Sequence, residues 1–138
     1  MMNKVFIDTN ILIYAYVNTN EFKHLKSREI LYKENFDEDM ILSTQILSEF
    51  SSVLIKHKIT IDKIESFFYE IINSILAVNI STITIESAYN IKKRYKFSWW
   101  DSVIVATALE YDCNLIITED LQHNQLIEGQ LRVINPFI

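Results

Sequence analysis

Apolar residues in this chain follow two spacings, short unbroken runs and longer stretches with a helical repeat, and the two alternate along its length. Val5, Phe6 and Ile7 form the first run, β-branched and aromatic. It stops at Asp8-Thr9-Asn10, residue types that cap helices, ahead of a helix predicted from Ile11 to Val17. A charged, periodic stretch from Phe22 to Phe36 predicts a second helix. Met40 to Leu42 predicts the second strand, closed by Ser43-Thr44, and a helix follows from about Gln45 to Ile55. Beyond Thr60, Ile61, Ile64, Phe67, Phe68, Ile71, Ile72 and Ile75 recur at helical spacing, so an amphipathic helix runs to about Ser74. Ala77 to Ile80 reads as a strand and Ile85 to Tyr95 as a helix. Trp99 to Tyr111 is apolar almost all round, the pattern of a helix buried between layers. Strands at Leu115 to Ile117 and Leu131 to Ile134 complete the series, with Asn135 to Ile138 as a tail.

Strands that are apolar along their whole length, with helices between them, predict an α/β fold. The expected architecture is a three-layer α/β/α sandwich around a parallel sheet of about five strands. No repeat, low-complexity tract or linker divides the 138 residues, so the chain reads as a single domain, 1–138.

Composition changes the picture mainly by exclusion. The chain has one glycine, whereas a P-loop, a dinucleotide fingerprint and a Gly-x-Ser-x-Gly elbow each need at least two. Its single cysteine, Cys113, closes no disulfide within the chain and builds no Cys-rich zinc site, which fits the reducing cytoplasm. The amino terminus meets a charged residue too early for a secretory leader, and no apolar run approaches the roughly 20 residues of a membrane span. Lys and Arg number 13 against 18 Asp and Glu, a net charge of -5, so phosphate chemistry here has to come from a local site rather than from a basic surface. Lys92-Lys93-Arg94 with Lys96, and Lys56 with Lys58, are candidates for backbone phosphate contacts, and also read as solvated helix faces. Trp99 and Trp100 are candidates for base stacking or for core.

The acids supply that local site. In an open parallel sheet each helix begins at the edge where the strands end, and that edge is where ligands bind. Asp8 ends the first strand, Glu49 lies near the start of the helix after the second, Asp101 lies in the first turn of the buried helix, and Glu119 and Asp120 follow the Leu115 to Ile117 strand. Taken singly, Asp8 and Asn10 are explained by helix capping, Asp101 by a Ser98-x-x-Asp101 capping box, and Glu119 and Asp120 by a solvated turn. Glu49 is harder to explain that way, because it stands on or beside the apolar stripe of Ile46, Phe50, Val53 and Leu54. A single site explains all of them together. Carboxylates gathered this closely either have raised pKa values or require a cation; a divalent ion settles the repulsion, and an all-oxygen donor set favours Mg2+ or Mn2+ over zinc. His24, His57 and His123 lack zinc-site spacing and read as surface or supporting groups.

Val5-Phe6-Ile7-Asp8-Thr9-Asn10, Glu49, Trp100-Asp101-Ser102 and Ile117-Thr118-Glu119-Asp120-Leu121-Gln122-His123 together resemble the PIN domain, and within it the toxins of VapC type. The resemblance spans essentially the whole chain. It implies sheet order 3-2-1-4-5 and a metal-dependent endoribonuclease. Asp8, Glu49, Asp101 and Asp120 match the acidic catalytic quartet, with Asp8, Asp101 and Asp120 as metal ligands to Mg2+ or Mn2+. Asn10, Thr118 and Glu119 match supporting positions. Thr-x-Asp is the family spacing and favours Asp120 over Glu119 as the inward acid. Two departures touch no ligand: His123 stands where many members carry an aromatic residue, and Asn124 where relatives often have glycine.

The resemblance further implies an RNA substrate, a cognate antitoxin that covers the acids with a basic residue, and action in the cytoplasm away from membranes. Water attack on the phosphodiester is expected to leave a 5′-phosphate and a 3′-hydroxyl. The quartet accounts for four of the five excess negative charges, so a bound cation makes the rim far less hostile to RNA. Homodimerisation through the face of Ile64, Phe67 and Phe68 is a second partner expectation, beside core packing of that face. An aspartyl-phosphate phosphatase, which needs a second acid two residues after the first, is disfavoured by Asn10. A non-catalytic, phosphate-accepting or binding module is the alternative of another kind.

Overall fold

The computed structural model describes residues 3–32 and 38–138. In chain order it contains β1 (Asn3–Ile7), α1 (Thr9–Tyr16), α2 (Glu21–Tyr32), β2 (Glu38–Ser43), α3 (Thr44–Lys56), α4 (Ile61–Ser74) and β3 (Leu76–Val78). There follow α5 (Thr82–Tyr95), α6 (Trp99–Glu110), β4 (Leu115–Ile117), β5 (Leu126–Ile127) and β6 (Leu131–Ile134). Every predicted strand and helix has its counterpart. The end of the helix predicted over Phe22 to Phe36 lies outside the described residues beyond Tyr32.

One sheet carries all six strands in the order β3-β2-β1-β4-β6-β5. The first five of these run parallel, and β5 alone pairs antiparallel, with β6. The 3-2-1-4-5 order is therefore found, with Leu131–Ile134 in fifth place and one short strand added outside it. That addition was not visible as a pattern because two residues are too few to show a period. It is made by a three-residue hairpin loop in which Glu128 and Gly129 both adopt positive φ (52° and 66°), and Gln130 N–H closes it on the Ile127 carbonyl at 3.0 Å. The chain's one glycine serves this turn. Asn124 also stands at positive φ (69°), a conformation Asn tolerates better than most residues.

Crossovers β1 to β2 and β2 to β3 step the same way across the sheet, whereas the crossover from β3 returns past β1 to reach β4. Right-handed connections then put α1 to α4 on one face and α5 with α6 on the other. The helix contacts agree: α1 packs on α2 and α3, α3 on α4, and α5 on α6. The central strand is closed from both sides, so Val5, Phe6 and Ile7 are fully buried. Helix α6 buries Ser102 through Ala108 without a break, as its all-round apolarity predicts. Helix α5 begins three residues before Ile85 because Ser81 and Thr84 form a reciprocal capping box with a threonine in place of the usual Glu or Gln. On α4, Ile64 is 2% exposed and Phe67 and Phe68, partly buried, pack against the core. Cys113 is a buried free thiol. Among the described residues no helix is long and apolar enough to cross a membrane.

The core of α3 offers a direct check on this packing. Phe50 is 0% exposed and sets its ring edge-on to Tyr16 at 5.6 Å, while Ile83 on α5 is 70% exposed. Phe50→Ala is expected to cost about 3–5 kcal/mol and Ile83→Ala less than about 0.5 kcal/mol in chemical denaturation. Equal costs would contradict the layer assignment.

Candidate metal centre

The sheet order reverses between β1 and β4, and the cleft at their carboxyl ends is where the acids meet. The register pairs Ile7 with Ile117, so the next residues, Asp8 and Thr118, leave the sheet side by side. Asp8 N–H still donates to the Ile117 carbonyl at 3.1 Å, and Thr118 Oγ1 donates to Asp8 Oδ2 at 2.6 Å. Asp8 is also the N-cap of α1, accepting from Thr9 N–H at 2.7 Å. Capping and site membership are thus one arrangement: the cap holds one carboxylate oxygen and turns the other into the cleft.

Asp101 reaches the same place from the first turn of α6, where Ser98 Oγ caps the helix by accepting from Asp101 N–H at 3.1 Å. Asp120 arrives from the loop after β4, its N–H donating to Thr118 Oγ1 at 3.1 Å. One ligand oxygen from each of Asp8, Asp101 and Asp120 lies within 4.8 Å of the others. Asn10 ties two of them together, its Nδ2 donating to Asp120 Oδ2 at 3.0 Å and to Asp8 Oδ2 at 3.4 Å.

Glu119 turns the other way. It accepts from Tyr14 OH at 2.6 Å and pairs with the Lys23 ammonium at 2.8 Å, so of the two adjacent acids Asp120 faces the cluster. Glu49 stands outside the trio. Thr9 Oγ1 donates to its Oε2 at 2.8 Å and Gln45 Nε2 to its Oε1 at 2.9 Å, which fixes both oxygens at the rim. Thr9 therefore bridges Asp8 and Glu49, one through its N–H and the other through its hydroxyl. Neither Thr9 nor Gln45 stood out in the sequence beyond Thr9's place in the Asp-Thr-Asn cap. The bridge depends on how α1 packs against α3, which no local spacing reveals.

The electrostatics of the cluster follow from burial. Asp8 is 4% exposed, and desolvation pushes its carboxyl up to about 7, assisted by the charges of Asp120 and Asp101 and opposed by the hydrogen bonds from Thr118 and Thr9. Asp101 is raised as well, first by desolvation and then by Asp120 and Glu49, with Ser98 opposing. The amino ends of α1 and α6 point at these groups and favour their charged forms. Among the described residues, Lys23 pairs with Glu119 and Arg94 with Glu128, and no ion pair reaches the three aspartates.

These residues fit a hard divalent cation. Three carboxylate oxygens converge, and beside them Asn10 Oδ1 is buried and accepts no hydrogen bond. An acceptor in that state is costly unless a donor such as a coordinated water completes it. The histidines are used elsewhere. His123 Nδ1 accepts from Asn135 N–H at 3.0 Å and pins the carboxyl-terminal tail, His24 Nδ1 lies 2.7 Å from the Tyr14 carbonyl, and His57 ends α3. Of the basic residues, Arg94 is paired with Glu128 and Lys92 donates to the Phe97 carbonyl. Trp99 packs on Tyr89 with ring centroids 4.9 Å apart, whereas Trp100 is 60% exposed.

The sequence model of the PIN domain family matches residues 5–128. No curated protein matches the chain. Among solved structures, the chain is similar to a toxin-antitoxin complex from Klebsiella pneumoniae, at 20% identity and a TM-score of 0.71, over 96% of this chain and 97% of that one. It is also similar to VapC20 of Mycobacterium tuberculosis, a Sarcin-Ricin loop cleaving toxin, at 12% identity and a TM-score of 0.70, over 91% and 98% of the two chains. A third similar structure is VapBC2 from Rickettsia felis bound to a DNA fragment from their promoter, at 15% identity and a TM-score of 0.69, over 96% and 99%.

A pH series tests the buried carboxyl. Asp8 binds its proton up to about pH 7 when folded and to about its ordinary 3.8 when unfolded, so between those values the folded chain holds more protons. Stability in the presence of a chelator is therefore expected to fall as pH rises through this window. Melting midpoints are expected to show that slope in the native chain and a clearly smaller one in Asp8→Asn; the same slope in both would remove Asp8 as its source.

Proposed function

Because the chain belongs to the PIN domain family, we propose that it is an Mg2+- or Mn2+-dependent endoribonuclease and the toxin of a toxin-antitoxin pair. The observation that carries this reading is the meeting of Asp8, Asp101 and Asp120, drawn from three separated segments, with ligand oxygens within 4.8 Å. Near end-to-end similarity to a toxin-antitoxin complex, to a toxin that cleaves the Sarcin-Ricin loop and to a VapBC complex supports the substrate and partner classes. The whole of 1–138 is taken as one nuclease domain acting in the cytoplasm. Its partner is an antitoxin that covers the acids with a basic side chain.

In this reading Asp8, Asp101 and Asp120 hold the ion. When bound, it supplies an activated water and a positive charge that offsets the charge developing on the phosphate. Asn10 fixes the spacing of Asp8 and Asp120, and Thr118 serves Asp8 and the Asp120 backbone with one hydroxyl. Glu49, held on both oxygens by Thr9 and Gln45, is the carboxylate outside the trio and accepts the proton released as water attacks. Glu119 supports the loop by anchoring it to Tyr14 and Lys23. Attack by water rather than by the 2′-hydroxyl leaves a 5′-phosphate and a 3′-hydroxyl.

Two measurements test this together. Mn2+ at about 100-fold over its dissociation constant is expected to add about 2.7 kcal/mol to the native chain and far less to Asp101→Asn. RNA cleavage is expected to stop with chelator, to fall in Asp101→Asn by more than the roughly 10–100-fold that even changes behind a metal ligand cost, and to leave 5′-phosphate ends. Cyclic phosphate ends, or cleavage indifferent to chelator, would overturn the nuclease reading. Metal binding without cleavage would favour the non-catalytic module.

A further inference from the structure

A cleft of about 480 Å3 opens beside the acids and is lined by Gln45, Glu49, Ile80, Ile85, Trp100 and Val103, with Ser48 at its edge. Its volume lies in the range of about 300–1,000 Å3 typical of small-ligand sites. Two of its walls lead to the metal centre: Glu49 shares Thr9 with Asp8, and Trp100 directly precedes Asp101 at the start of α6. A substrate whose phosphate sits on the aspartates therefore has its neighbouring nucleotide at the mouth of this cleft.

The lining decides which part of that nucleotide enters. Among the described residues it contains no lysine or arginine, and its one ionisable group is a carboxylate, so a phosphate is repelled. Ile80, Ile85 and Val103 make an apolar floor, and the Trp100 indole stands open to solvent along one side, unlike Trp99, which is covered by Tyr89. Flat, uncharged and aromatic is the description of a nucleobase, and stacking on an exposed indole is the sequence-tolerant way to hold one. The polar wall is also unfinished: Gln45 gives its Nε2 to Glu49, while its Oε1 is buried and accepts nothing. A base amino group is a donor of the kind that acceptor lacks.

We propose that this cleft is a base-binding subsite in which Trp100 stacks on the unpaired nucleobase flanking the scissile phosphate, making Trp100 a substrate-positioning residue. The proposal rests on the nuclease reading for its substrate, and its test separates the two. The occupant is a base of single-stranded RNA; an apolar side chain of a protein partner is the competing occupant.

Trp100 is exposed, so Trp100→Ala and Trp100→Phe are expected to melt with the native chain. Binding is read first, by quenching of tryptophan emission with short single-stranded RNA in Ca2+, so that the readout does not depend on turnover. The native chain and Trp99→Phe are expected to be quenched. Trp100→Phe is expected to lose the quenching while keeping near-native affinity in a competition assay, and Trp100→Ala to bind about 5- to 100-fold more weakly. Cleavage is read second, on RNA in which one base at a time beside the cut is replaced by an abasic residue. One position is expected to cost the native enzyme as much as Trp100→Ala costs on intact RNA, with no further loss when the two are combined. RNA affinity and cleavage untouched in Trp100→Ala, in a native chain that does cut RNA, would overturn the subsite and leave the cleft to a protein side chain. A native chain that binds RNA with Trp100 quenching but never cuts would overturn the nuclease reading instead.

Discussion

Three aspartates crowded into one half-buried pocket repel one another, and the rest of the structure is arranged to hold them there anyway. Asp8 is buried and Asp101 half-buried, desolvation together with the neighbouring charges raises the Asp8 carboxyl to about 7, and among the described residues no ion pair neutralises the three. What is brought in are hydrogen-bond donors: Thr118 and Thr9 on Asp8, Asn10 across Asp8 and Asp120. Donors fix where the Asp8 and Asp120 carboxylates point without discharging them. A pocket built that way is unfavourable alone, and in the metal-dependent reading proposed above a divalent cation is what offsets it.

The parallel sheet makes this possible. Its central strands end at the same level, and the one-residue continuation of the β1–β4 register sets Asp8 beside Thr118. Because the strand order turns at β1, helices from both faces begin near this point, and α1 and α6 each contribute an amino end as well as an acid. The apolar cleft next to the acids has the same origin, since α3, α5 and α6 line it where the two helical layers approach the sheet edge. Glu49, tied to Asp8 through Thr9, is also a wall of that cleft.

Much of this was legible in the residues. Unbroken apolar runs marked β1, β2 and β4, largely apolar stretches marked β3 and β6, and the all-round apolarity of Trp99 to Tyr111 marked the buried helix. The acids could be assigned to one rim because strand ends and helix starts share an edge in any such sheet. Three things escaped. Strand β5 is too short to show a period, and its turn is made by Glu128 as much as by Gly129. Thr9 and Gln45 depend on the approach of α1 to α3. For Glu119 and Asp120 the Thr-x-Asp spacing favoured Asp120 as the inward acid, and what escaped was why: Glu119 is drawn away by Tyr14 and Lys23, partners roughly a hundred residues distant in sequence. Each of these is a tertiary contact, and local pattern carries no information about it.

The central claim is that the three aspartates hold one site for a divalent ion. Crystals of the native chain soaked in Mn2+ and measured at the manganese absorption edge test it most directly. An anomalous peak is expected among the carboxylates of Asp8, Asp101 and Asp120, within direct or water-mediated reach of Asn10 Oδ1. A peak at Glu119, or none at saturating Mn2+ with the three side chains ordered, would contradict it.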